Sequence, residues 1–192
     1  MTSQSPPQRS VLASLSMALA CALVFGCSTQ PEAKTATTHD PVLLKGMEQS
    51  CTESAEPEAC RLACEGGLFA SCSELGHLYE LGLNVPRNVV AASSYYRKGC
   101  DGGDMPSCFN AAYVLENGIA GRRDAHCAAA LYNYACDGGF IRGCLVVGFM
   151  YKSGLDIEKD DARAAVLFKK ACDAGNVSGC NQLKELAEKP AQ

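Results

Sequence analysis

Histidine is scarce in this 192-residue chain, positive charge is in deficit, and several motifs that carry chemistry are missing. The only histidines, His39, His77 and His126, are scattered along the sequence. A catalytic zinc needs a cluster of histidines and carboxylates, so no metal and no cofactor is expected. Seventeen lysines and arginines stand against 21 acidic residues, a formal charge of −4. A nucleic-acid binder needs a basic face for phosphates, so that class is excluded. Serine hydrolysis of β-lactams uses Ser-x-x-Lys, with the lysine one helical turn from the nucleophile. No serine here has a lysine three residues later, and Lys-Thr-Gly is absent as well. No glycine-rich phosphate loop is present either: each Gly-Gly follows a helical pattern, where C-capping accounts for it. No catalytic residue is therefore nominated.

Cysteine, by contrast, is abundant, with 13 residues, and most of it is periodic. Cys64, Cys100, Cys136 and Cys172 lie 36 residues apart, and each is followed eight positions later by a second cysteine, Cys72, Cys108, Cys144 and Cys180. Other columns keep this register. A small pair follows each first cysteine (Gly66-Gly67, Gly102-Gly103, Gly138-Gly139, Ala174-Gly175), and Gly82, Gly118 and Gly154 stand ten positions after the second cysteine of the first three pairs. An apolar column runs through Leu75, Ala111, Val147 and Leu183, beside small residues at Gly76, Ala112 and Gly148. A helical pattern repeating every thirty-odd residues is the mark of a stacked solenoid. The expected fold is all-α, a right-handed superhelix of antiparallel helix pairs.

The first cysteine of each pair falls on the last turn of one predicted helix and the second on the first turn of the next. Facing each other across the mouth of a hairpin, the two sit within reach of the Cα separation of about 5.5 Å that suits a disulfide. Cys51 and Cys60, nine apart, are expected to pair in the same way. Such a set of bridges implies an oxidising compartment, and it supplies stability that short repeats lack in core. A structural zinc on Cys60, Cys64, Cys72 and His77 is the weaker alternative, because paired cysteines in an exported chain favour disulfides. Cys127 has no counterpart 36 residues away and is the odd thiol. It reads first as a small buried apolar residue and second as a reactive or intermolecular one. Adjacent His126 does not make it a Cys-His nucleophile, since neighbouring helical residues point about 100° apart.

The N-terminus agrees with export. Val11 to Phe25 is apolar and uncharged, of signal-peptide length and short for a membrane span. It ends in Val24-Phe25-Gly26-Cys27, which resembles the bacterial lipobox, with Phe25 in place of the usual small residue. That resemblance implies cleavage before Cys27 and lipidation of its side chain and new N-terminus. With Ser28 rather than aspartate next, it implies retention in the outer membrane, facing the periplasm. Residues 1–26 are then a signal peptide and 27–40 a flexible tether rich in Thr, Ser, Ala and Pro. Residues 41–68 read as a degenerate capping repeat, in which Val42 to Gly46 matches the end of a first helix. Three full repeats follow at 69–104, 105–140 and 141–176, and 177–192 forms a C-terminal capping helix.

Two segments carry a family likeness. Leu75-Gly76-His77-Leu78-Tyr79-Glu80-Leu81-Gly82 and Ala91-Ala92-Ser93-Ser94-Tyr95-Tyr96-Arg97-Lys98-Gly99 resemble the Sel1-like repeat, a TPR-like motif. Gly148 to Gly154 and Ala164 to Ala171 repeat the pattern, while Leu115 departs from its tyrosine. Within the family, the paired cysteines are similar to those of secreted cysteine-rich bacterial members. The resemblance implies an adaptor that holds a protein or peptide of the cell envelope in a groove lined by the first helix of each unit. The residues put forward for that groove are Glu74, His77, Asn110, Tyr113 and Phe149, which stand between the packing positions. A monomer touching the membrane only through its lipid is expected. The same resemblance also implies an alternative, a weak β-lactamase or penicillin-binding hydrolase.

Overall fold

The computed structural model describes residues 40–188, and every element in that range is a helix. The expected signal peptide, Cys27 and the tether up to residue 39 lie outside the described residues. The helices are α1 (Pro41–Ser54), α2 (Pro57–Glu65), α3 (Phe69–Leu81), α4 (Val89–Asp101), α5 (Met105–Asn117), α6 (Ala125–Asp137), α7 (Ile141–Ser153), α8 (Asp161–Asp173) and α9 (Val177–Ala187). Each packs on the next, and the first helices α1, α3 and α5 also touch one another in turn.

Local chemistry sets the helix ends, and it does so in register. The second helix of each full unit starts at Asn88, Asp124 or Asp160, whose side chain accepts from the N3 amide of Ala91, Cys127 or Arg163 at 3.0, 3.0 and 2.8 Å. The first helix of each unit stops at Gly82, Gly118 or Gly154, all left-handed with φ of 72°, 63° and 67°, a conformation cheap only for glycine. A basic residue five positions on folds over that glycine. Arg87 and Arg123 donate from Nε to the carbonyl oxygens of Glu80 and Glu116 at 2.9 and 2.7 Å, closing the last turn.

The capping repeat departs from expectation. Gly46 does not end a helix: α1 runs through it to Ser54 and stops at Ala55, which is left-handed at φ 50°. Downstream units break at glycine because a loop with Pro86 or Gly121 follows, whereas Met47 to Thr52 offer no such break. The loop is thereby reduced to Ala55 and Glu56, and α2 begins with Pro57 in its first turn.

Between paired helices lies one large ring per unit. Tyr96, Tyr132 and Phe168 are 0, 1 and 0% exposed. They press on the small column of the first helix, where a Cβ at Gly76 would fall 2.4 Å from Tyr96 Cε1 and one at Gly148 2.7 Å from Phe168 Cε1. Two of the rings carry a hydroxyl that must be satisfied inside the core. Tyr96 donates to Glu80 Oε2 at 2.5 Å and Tyr132 to Glu116 Oε2 at 2.8 Å. In the third unit the ring is Phe168 and the matching residue is Lys152, which turns instead to Gln182 at 2.7 Å and Glu185 at 2.8 Å on α9. The loss of one hydroxyl thus frees a position to clamp the last helix.

Burial, reinforced by the bond to a carboxylate, holds both phenols protonated far above the ordinary tyrosine range. Their contribution to stability is complete below the unfolded phenol pKa of about 10 and is lost as pH rises above it, because only the unfolded chain then gives up the proton. Each tyrosine should cost about 1.4 kcal/mol per pH unit there. Urea unfolding between pH 9 and 11 should therefore show a steep fall that flattens in Tyr96→Phe/Tyr132→Phe. An unchanged slope in that variant would refute the assignment.

Five disulfides join Cys51–Cys60, Cys64–Cys72, Cys100–Cys108, Cys136–Cys144 and Cys172–Cys180. Cys60, Cys64 and Cys72 are thus bridged sulfurs, which removes the alternative of a zinc held by their thiolates. Their Cα separations, 4.4 to 4.8 Å, are shorter than the common value expected from sequence. The reason is a backbone contact beside each bridge. In the pairs Gly99/Ser107, Ala135/Gly143 and Ala171/Gly179 one partner is glycine, and a Cβ at Gly143 would fall 2.7 Å from the carbonyl oxygen of Tyr132. Ala63 and Ser71 both carry a Cβ at this place, and their bridge has the longest separation, 4.8 Å. Cys127 stands outside the five bridges, 2% exposed at N3 of α6.

Candidate partner-binding face

The side of the first helices turned away from the buried rings carries the residues nominated for a groove. Residues three or four apart on a helix share a face. Glu74 with His77 on α3, Asn110 with Tyr113 on α5, and Phe149 on α7 therefore fall into two adjoining rows. Glu74 and His77 are exposed, Asn110 is half-buried, and Tyr113 and Phe149 are 46 and 42% exposed. Aromatic side chains left this open at matching places in successive repeats are not core residues.

The rows are held from below and from the side. His77 meets the buried ring of Tyr96 edge-on, with centroids 5.5 Å apart and planes at 75°. Phe149 does the same on Phe168 at 5.2 Å and 68°. The buried aromatic of each pair therefore fixes the tilt of the exposed one, which lowers the entropy a ligand would have to remove. Asn110 ties α5 to α3: its Nδ2 donates to Ser73 Oγ at 3.3 Å and lies 3.3 Å from His77 Nε2. These contacts bring His77 and Asn110 together, while Tyr113 and Phe149 continue the row on the next two first helices.

Two contributors were not nominated from sequence. Ser73 looked like one more helical residue, and its role depends on a neighbour 37 positions away. Arg142 is exposed on α7, seven residues before Phe149 and so on the same face, and its guanidinium lies 4.9 Å over the ring of Phe109 on α5. The seven-residue spacing was the available signal. Among the described residues, no helix is long and apolar enough to cross a membrane, and no group of three or more His, Cys, Asp or Glu is arranged to hold a metal ion.

Known proteins place this architecture. The Sel1 repeat profile matches residues 70–104, 106–140 and 141–176, almost the same units that the cysteine register marks out. The structure is similar to c5321, a protective antigen present in uropathogenic Escherichia coli strains that displays an SLR fold. That match has a TM-score of 0.69 and 26% identity, and it covers 77% of this chain and 33% of that one, so the chain spans about a third of that protein's length. It is also similar to cysteine rich protein B of Helicobacter pylori, with a TM-score of 0.52 and 25% identity over 72% of this chain and 95% of that one. A Sel1 repeat protein from Oxalobacter formigenes shares the fold at a TM-score of 0.60 and 21% identity, over 66% of this chain and 95% of that one. No curated protein matches the chain. With three consecutive repeats under the profile, more than half of its length, and an all-helical, disulfide-stapled array to match, the chain belongs to the Sel1 repeat family.

Proposed function

We propose that this protein is an exported adaptor that holds a protein or peptide of the bacterial cell envelope on the face formed by its first helices. The observation that carries the reading is the row His77, Tyr113 and Phe149, open to solvent on three successive helices and braced from beneath by buried rings. Soluble chains seldom leave aromatics exposed at regular places unless something covers them. Five disulfides support work outside the reducing cytosol. Lipidation of Cys27 and anchoring to the outer membrane extend the same reading.

Site-specific photocrosslinking in the exported, full-length protein tests it. A photoreactive phenylalanine at position 113 or 149 is expected to give one discrete adduct. The same group at Val166, an exposed apolar residue of the second helix α8, is expected to give none. The protein should fractionate with the outer membrane and leave it in Cys27→Ser. Equal adducts from all three positions, or none from the face, would refute the docking reading. Nitrocefin turnover lost on Asn110→Ala would favour the hydrolase alternative instead.

A further inference from the structure

The rows on the first helices also constrain the shape of what lies on them, an inference that rests on the docking reading above. We propose that the occupant is an extended, proline-rich segment in the polyproline II conformation, with a cationic residue beside Glu74 and an anionic group beside Arg142.

The argument begins with spacing. α3 and α5 touch through Asn110 with Ser73 and His77, and α5 and α7 through Phe109 with Arg142. Helices in such contact have axes about 8–10 Å apart, so His77, Tyr113 and Phe149 repeat along the array at about that interval. A ligand lying across the helices must present a side chain at the same interval, always on one side. A β-strand shows one face every second residue, about 6.6 Å. An α-helix returns to a face after one turn of about 5.4 Å or two of about 10.8 Å. Polyproline II, with three residues per turn at about 3.1 Å each, returns after about 9.3 Å. It alone falls inside the interval, and it binds to aromatic-lined surfaces because it is ordered before it arrives.

Charge fixes the ends. Glu74 stands one turn before His77 on α3, and Arg142 two turns before Phe149 on α7, both exposed. On α5 the row between them carries Asn110 and Tyr113, without a charge. A face negative at the α3 end and positive at the α7 end selects a segment of opposite polarity. The acidic surplus of the capping repeat reinforces the negative end: Glu48, Glu53, Glu56, Glu58 and Glu65 are all exposed there.

A fluorescent peptide, acetyl-Lys-Pro-Pro-Leu-Pro-Pro-Leu-Pro-Pro-Glu, probes both features by anisotropy against the folded, oxidised protein. It is expected to bind at least tenfold more tightly than its proline-to-glycine counterpart and about fivefold more tightly than a version with glutamine at both ends. Tyr113→Ala/Phe149→Ala should weaken it at least tenfold. Glu74→Arg, an exposed change that disturbs no packing, should weaken the charged peptide and leave the glutamine version unaffected. Equal binding of the proline and glycine peptides, or of charged and neutral ones, would overturn the proposal, as would an undiminished affinity in either variant. If photocrosslinking shows a partner on the face that the charged peptide fails to displace, this occupant is refuted while the docking reading stands.

Discussion

Replacing Cys136 and Cys144 together by alanine is expected to lower the unfolding free energy by about 2.5 kcal/mol, the chain-entropy value for a loop of this size. For a domain near 150 residues that corresponds to a fall in Tm of about 5–10 °C. Reducing all five bridges should do far more. At about 2.5 kcal/mol each, the set is comparable with the whole stability of an ordinary domain, about 5–15 kcal/mol. The reduced protein should lose its cooperative thermal transition by circular dichroism, with the ends of the array fraying first because each repeat leans only on its neighbours. Both sulfurs of this central bridge are fully buried, and the adjacent Gly143 backbone is packed on Tyr132. Reduction in the native state should therefore be slow unless denaturant is present. A reduced protein that melts as sharply and as high as the oxidised one would refute the idea that the staples hold the array.

Phe168→Ala should cost about 3–5 kcal/mol, because the ring is fully buried and its neighbours on α7 cannot close the gap. The reverse change, Gly148→Ala, crowds the same contact and should cost about 1 kcal/mol, the low end for overpacking. The second unit already tolerates a methyl at this place, in Ala112 beside Tyr132. Phe168→Leu added to Gly148→Ala should recover part of the loss, a non-additive coupling expected of two groups that share one space. Chemical unfolding of the three variants decides the matter, and strict additivity would mean that the contact is not shared. The same loss should reach the surface. Phe149 rests on Phe168, so Phe168→Ala should weaken binding to the face even where the protein stays folded.

Much of the chain was legible in advance because the information is local. Asp124 or Asp160 announces a helix start by its own side chain, and Gly82 a helix end by its own freedom of φ. Cys100 and Cys108 report a hairpin because only a short turn separates them. Gly46 misled for the complementary reason. It has the identity of the residue that ends a helix elsewhere, but the loop that makes the ending necessary does not follow it. The nominated face was readable as a column of residues, whereas its exposure was not: sequence alone left open whether His77, Tyr113 and Phe149 were packing or surface.

The period of 36, the helix limits of the full units and the pairing of cysteines were determined by the sequence itself, since each depends on residues fewer than about a dozen positions apart. Tertiary structure alone decided that Tyr96 and Tyr132 meet carboxylates while Lys152 clamps α9. It alone decided that glycine lets the hairpin backbones touch beside their bridges, and that Asn110 reaches across to Ser73 and His77. Those outcomes depend on how two helices settle against each other, and residue spacing carries no measure of that distance.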